Sequence, residues 1–174
     1  MSMTDPSLLQ PIVLFAAATA LLFAAAHDVA VRTVPNAVSL VVAAAGLTLN
    51  AWDGQLAPAL FGAVLVFAAA WYFWRRGWFG GGDVKLLTAC ALLVPPGSVP
   101  ALILCTALAG GALALFYVSL ARVLPRDGTP RPTGLLPRVW RAERRRIRRG
   151  LSLPYSCAIA AGALLTLASP IHFG

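Results

Sequence analysis

The sequence predicts an all-α, polytopic membrane protein: a single bundle of about six transmembrane helices over residues 1–174. Hydrophobic residues make up 59% of the chain and charged residues 11%, and the mean hydropathy is +0.79. Soluble domains average about 25% charged residues, so this chain lacks the polar residues that a fully water-exposed surface needs. Each crossing takes roughly 20 residues, which leaves room for about six helices joined by short loops.

Six apolar segments supply the predicted helices. They cover residues 9–27, 34–49, 56–74, 86–94, 100–121 and 151–169. The fourth segment is short, because at 1.5 Å per residue it spans about 14 Å, roughly half of a 30 Å hydrocarbon core. Glycines precede it, and Pro95 and Pro96 follow it. Either this helix is half-length, or the glycine run enters the membrane as non-helical backbone before the helix begins.

The basic residues all fall on one side of this predicted bundle. Arg32 follows the first segment, Arg75, Arg76 and Lys85 follow the third, and every other arginine lies in residues 122–150, after the fifth. The positive-inside rule therefore places these three connections in the cytoplasm and both termini on the opposite side of the membrane.

The net charge of +8 follows this topology, so we expect no nucleic-acid partner. The arginines at 141–149 in the basic cytoplasmic loop predict contact with anionic lipid headgroups. The three cysteines, Cys90, Cys105 and Cys157, lie in apolar stretches without the spacing of metal ligands. We expect them to be small buried side chains, and we expect neither a metal nor a cofactor.

Two carboxylates, Asp28 and Asp83, interrupt the apolar pattern on the predicted cytoplasmic side. Ionisable residues within or beside a membrane span are costly and mark functional sites. If the bundle brings these two together, they cannot both ionise easily, and one keeps its proton. The ionised carboxylate can then accept a proton from water, while the protonated one hydrogen-bonds a scissile carbonyl.

Each aspartate also has a purely structural interpretation. Asp28, beside His27 and Arg32, fits a helix end with a surface ion pair, and Asp83 fits the N-cap of the fourth helix. Lys85 follows Asp83 by two residues, so on a regular helix the two do not share a face. A lysine at this position typically extends to the membrane interface.

Three segments of the chain resemble the type IV prepilin peptidases. The GGGDVKLL segment, with Gly80, Gly81, Gly82, Asp83 and Lys85, is similar to their GxGD catalytic segment. The HDVAVRTVPN segment, in which Asp28 precedes Pro35 and Asn36, resembles their first catalytic segment. LPYSCAIAAG at 153–162 resembles the start of their last helix.

This resemblance implies a membrane-embedded aspartyl endopeptidase of the GxGD type, with Asp28 and Asp83 as its catalytic residues. Such an enzyme lies in the bacterial inner membrane with its active site facing the cytoplasm. It removes the basic leader of prepilins and pseudopilins, whose leader and transmembrane helix are its partners. The chain differs from the larger members in lacking a methyltransferase portion and its paired-cysteine loop. It is therefore similar to the short form associated with Flp pili, and we expect no N-methylation.

Two other classes of function stay open at this stage. A small proton- or cation-coupled transporter also uses intramembrane acid pairs, but it requires polar residues that continue to the far side of the bilayer. A non-catalytic membrane scaffold is the other alternative, and retention of both aspartates argues against it.

Overall fold

The structure is a computed structural model that describes residues 6–123 and 153–168, and these residues form six α-helices without a strand. The helices are α1 (Pro6–Val31), α2 (Asn36–Trp52), α3 (Leu56–Arg75), α4 (Gly81–Leu93), α5 (Val99–Val123) and α6 (Tyr155–Ala168). A short 3₁₀ turn, Pro96–Ser98, joins α4 to α5. The all-α prediction is confirmed. The arginine cluster at 141–149 lies outside the described residues, as do both chain ends.

Three helical stretches are long and apolar enough to cross a membrane, namely Leu9–Val31, Leu56–Arg75 and Pro96–Leu120. Large apolar side chains point outward from them, as expected of surfaces that contact lipid: Phe15 is 75% exposed, Phe61 67% and Leu115 71%. Helices α2 and α6 are apolar but shorter. The chain is thus a helical membrane protein, and the side on which its termini lie stays a prediction.

Helix α4 lies at the centre of the bundle. It packs against α2, α3 and α6, while α1 packs against α2 and α6, and α5 packs against α6. Nearly every side chain from Val84 to Leu93 is buried, as in a helix that is apolar all round. Its 13 residues span about 20 Å, less than the roughly 30 Å of a hydrocarbon core. If α4 lies across the membrane, at least one of its ends is therefore below the surface.

The start of α4 corrects the sequence prediction, because the glycine run belongs to the helix. We expected a helix over residues 86–94, but α4 begins at Gly81. Gly80 is the N-cap, with φ −75° and ψ 147°, and its N–H donates to Asp83 Oδ2 at 3.3 Å. A carboxylate in the first turn also interacts favourably with the helix dipole. Apolar periodicity missed this turn because it contains no large apolar residue before Val84.

The other end of α4 is held by a polar side chain from α2. The Leu92 carbonyl would normally accept an N–H from residue 96, but that residue is Pro96 and has none. Asn50, only 4% exposed, donates its Nδ2 to Leu92 O at 2.7 Å and to Gly46 O at 2.9 Å. Gly46 makes this possible, because a Cβ at that position would collide with the Leu92 backbone.

This arrangement predicts that Asn50→Leu destabilises the fold by about 1–3 kcal/mol, because a buried carbonyl loses its donor. Thr48→Val is the matched control, since the Thr48 hydroxyl bonds only Ala44 O within its own helix at 2.9 Å. Thermal unfolding in detergent can be followed through the reactivity of the buried Cys90 thiol. Equal unfolding temperatures for the two variants would contradict this role of Asn50.

Candidate functional site

Asp28 lies in the last turn of α1 and is 7% exposed. The helix continues beyond the predicted end at residue 27 and ends at Val31. The Arg32 N–H donates to Asp28 O at 2.8 Å. Arg32 has a left-handed φ of 63°, which turns the chain towards α2. His27 Nδ1 lies 2.7 Å from Thr33 O and braces the same turn. Burial of Asp28 disagrees with the interpretation as an exposed ion pair.

Asp83 lies in the first turn of α4 and is half-buried. It is not the N-cap that the structural interpretation proposed, since Gly80 occupies that position. Asp83 nevertheless contributes to the cap, because its Oδ2 accepts the Gly80 N–H. Only one of its carboxylate oxygens is needed for this contact, so the other is free to face a different element.

Ser156 connects the two aspartates. It lies in the first turn of α6 and is fully buried. Its backbone N–H donates to Asp28 Oδ2 at 3.3 Å, and its Oγ lies 3.1 Å from Asp83 Oδ1. A single residue therefore holds the carboxyl groups of α1 and α4 at one place, which the sequence spacing left open.

Helix ends surround this pair of carboxyl groups. The amino ends of α4 and α6 both point at it, through the N–H groups of Gly80 and Ser156. Free N–H groups at helix starts and the positive end of the helix dipole favour nearby negative charge. The arrangement thus offsets part of the cost of placing two acidic groups in a poorly hydrated region.

Ring contacts fix the start of α6 beside the glycine run. Tyr155 packs against Phe79, with ring centroids 5.2 Å apart, and Phe79 in turn lies 5.8 Å from the Phe73 ring of α3. Tyr155 also lies near Gly110 of α5, where an added Cβ would be 3.7 Å from the Tyr155 ring. These contacts position the backbone on which Ser156 reaches both carboxyl groups.

The three glycines before Asp83 differ in their surroundings. A Cβ on Gly82 would lie 3.1 Å from Val34 Cβ, so this glycine lets α4 approach the connection between α1 and α2. A Cβ on Gly81 would meet only the Trp74 indole nitrogen at 3.6 Å, an ordinary contact distance. At Gly80 it would meet the Asp83 carboxylate itself at 2.9 Å. Gly80 and Gly81 are exposed, whereas Gly82 is half-buried.

The remaining predicted site residues lie on a different side of α4. Lys85 Nζ donates to Asn36 Oδ1 at 2.9 Å, and Pro35 is the N-cap of α2. Lys85 and Asp83 thus bond different elements, as their spacing predicted. Beside Lys85 is an open groove of about 380 Å³. The groove is lined by Asn36, Ser39, Leu40, Ala43, Phe67, Lys85, Thr88, Ala89 and Leu92.

Sequence reasoning did not identify Ser156 as part of the site, although it noted the segment that contains it. The available signal was a hydroxyl in the first turn of a mostly apolar helix, two residues after Pro154. A polar group at such a position usually has a partner within the bundle. Its partners, however, lie 128 and 73 residues away along the chain.

Fold and site together define a helical membrane protein with two acidic side chains held at one place in the bundle. The model of the type IV leader peptidase family matches residues 15–115, which include Asp28 and Asp83 but end before α6. This match covers more than half of the chain, and the chain belongs to that family of proteases. Searches of curated proteins and of solved structures find no match.

The glycine contacts predict that Gly82→Ala is destabilising relative to Gly81→Ala. Both changes give the same gain in helix propensity, up to about 1 kcal/mol. Only Gly82→Ala places a Cβ as close as 3.1 Å to Val34 Cβ, so the Val34 side chain must shift by a few tenths of an ångström. Overpacking of this kind costs about 1–3 kcal/mol. Thermal unfolding in detergent should show the lower transition temperature for Gly82→Ala. An equal or higher temperature for Gly82→Ala would show that the approach of α4 to Val34 needs no glycine.

Proposed function

We propose that this protein is an aspartyl endopeptidase of the GxGD type that removes the leader of prepilins or pseudopilins. Asp28 and Asp83 are its catalytic residues, and the reaction takes place at the cytoplasmic face of the bacterial inner membrane. The observation that carries the proposal is the contact of Ser156 with both carboxyl groups. Family membership supports a peptidase of this general kind.

The chemistry follows from two carboxyl groups that share one proton. The ionised carboxylate takes a proton from water as the water oxygen bonds to the scissile carbonyl carbon. The other carboxyl donates its proton to the carbonyl oxygen, which gives a neutral tetrahedral diol. In the second step the C–N bond breaks, the amine nitrogen takes the proton held by the first carboxyl, and a diol hydroxyl returns a proton to the second. Both carboxyl groups thereby regain their starting states.

The surroundings of the pair fit an extended peptide substrate. Gly80 and Gly81 are exposed beside Asp83, so a substrate backbone can approach without meeting a side chain there. Gly82 faces Val34 and is therefore assigned to packing. On the predicted topology the basic leader remains on the cytoplasmic side and the substrate's apolar helix lies in the bilayer. The resemblance to the short members favours Flp-like pilins as substrates.

The proton- or cation-coupled transporter has less support. It needs a connected series of polar groups that relays a proton from the aspartates to the far side of the bilayer. Asn50, the buried amide of α2, donates to two backbone carbonyls at the far end of α4. Its hydrogen bonds thus serve the packing of two helices.

We expect Asp28→Asn and Asp83→Asn each to reduce prepilin cleavage by at least about a thousandfold. The double variant should be no less active than either single variant, because the effects of residues that act as one unit are strongly non-additive. Asp53→Asn is the control, since Asp53 is exposed and only accepts a hydrogen bond from Gln10 at 3.3 Å. Cleavage of a purified prepilin by protein in nanodiscs measures the effect.

Activity close to wild type in either Asn variant would contradict the aspartyl mechanism. Loss of activity on chelation, restored by zinc, would contradict it as well. The Asn variants should still insert into the membrane, because Asn matches Asp in shape and removes a recessed charge.

A further inference from the structure

We propose that Ser156 is a positioning residue that decides which aspartate is the base and which is the acid. In this assignment Asp28 is the ionised base, and Asp83 carries the shared proton on Oδ1 and donates it to Ser156 Oγ. The assignment rests on the proposed peptidase function for its catalytic meaning. The location of the proton is a separate property of the resting protein and can be measured without a substrate.

The kinds of atoms that meet the carboxyl groups limit where the shared proton can lie. A backbone N–H can only donate, so an oxygen that receives one acts as an acceptor. Ser156 N–H meets Asp28 Oδ2, and Gly80 N–H meets Asp83 Oδ2. A proton on either of these oxygens would face an N–H group and lose the hydrogen bond.

The third contact is different, because a serine hydroxyl can donate or accept. At 3.1 Å, Ser156 Oγ can accept a proton held by Asp83 Oδ1. A protonated Asp83 then keeps both of its contacts, with Oδ1 donating to Ser156 and Oδ2 accepting from Gly80. Of the three contacts, this is the one in which the hydrogen can lie on the carboxyl side.

Most other titratable groups on these elements are directed to other partners. Arg32 follows Asp28 by four residues, in the connection to α2. Lys85 on α4 is turned towards Asn36, and His27 on α1 towards Thr33. The Tyr155 ring of α6 packs against Phe79.

Removal of the Ser156 hydroxyl tests the assignment. Ser156→Ala keeps the backbone N–H to Asp28 and removes the acceptor for the Asp83 proton. We expect kcat to fall about tenfold or more, because the loss of one hydrogen bond changes a rate by about this factor. KM should stay within about twofold of the wild-type value. The alkaline limb of the pH–rate profile should move to lower pH, because protonated Asp83 loses its partner.

Two further variants separate this role from general packing. Ser156→Thr retains a hydroxyl and should restore the wild-type pH profile. Thr166→Val also removes a buried hydroxyl, further along α6, where it donates to Gly162 O at 2.8 Å within the helix. It should leave kcat and the profile unchanged. A Ser156→Ala profile that overlaps wild type would overturn the proposal, whether or not Ser156→Thr folds.

Reaction with dicyclohexylcarbodiimide gives a readout that needs no substrate. This apolar reagent modifies protonated carboxyl groups in poorly hydrated sites, and mass spectrometry locates the product. We expect modification of wild type mainly at Asp83, and in Ser156→Ala a shift of that modification to lower pH. Modification mainly at Asp28, or no change in Ser156→Ala, would overturn the assignment. Absence of prepilin cleavage by wild type would instead refute the peptidase function and leave this measurement valid.

Discussion

The structure depends on the meeting of three helix ends at one serine. Helix α1 contributes Asp28 at its carboxyl end, and α4 and α6 contribute Asp83 and Ser156 at their amino ends. Two acidic groups in one poorly hydrated place repel each other and lose hydration. Hydrogen-bond donors from two helix starts offset that cost. A site of this kind is therefore stable only where the bundle aligns these three helix ends at the same level along its length.

The position of α4 along the bundle sets that level, and contacts at both ends of α4 hold the helix in place. At its start, Gly82 allows close contact with Val34, in the connection that leaves Asp28. At its end, Asn50 binds the Leu92 carbonyl that the following prolines leave without a donor. Small residues also allow close approach of helix backbones elsewhere in the bundle, as at Gly162 against Thr106. A shift of α4 along its axis would therefore disturb contacts at both of its ends.

The sequence predicted the number, order and approximate limits of the helices, because apolar composition dominates those features. It also selected Asp28 and Asp83, since acids are rare in such segments and their neighbours resemble a known pattern. The predicted start of α4 was wrong, because the Gly-Gly-Asp turn is stabilised by a side-chain cap that apolar periodicity does not detect. Ser156 was not recognised, because its role comes from contacts over long separations. Asn50 was not singled out either. Its partner is the Leu92 carbonyl, which lacks a backbone donor because residue 96 is a proline.

The central claim is that Asp28 and Asp83 face one another across a single site, with Lys85 directed elsewhere. Cysteine cross-linking with a short bifunctional thiol reagent tests it most directly, in a chain whose three native cysteines are replaced. We expect efficient cross-linking of the pair Asp28→Cys and Asp83→Cys. We expect little cross-linking of Asp28→Cys with Lys85→Cys, because Lys85 bonds Asn36 on another side of α4. Equal cross-linking of the two pairs, or none of the first, would contradict the account.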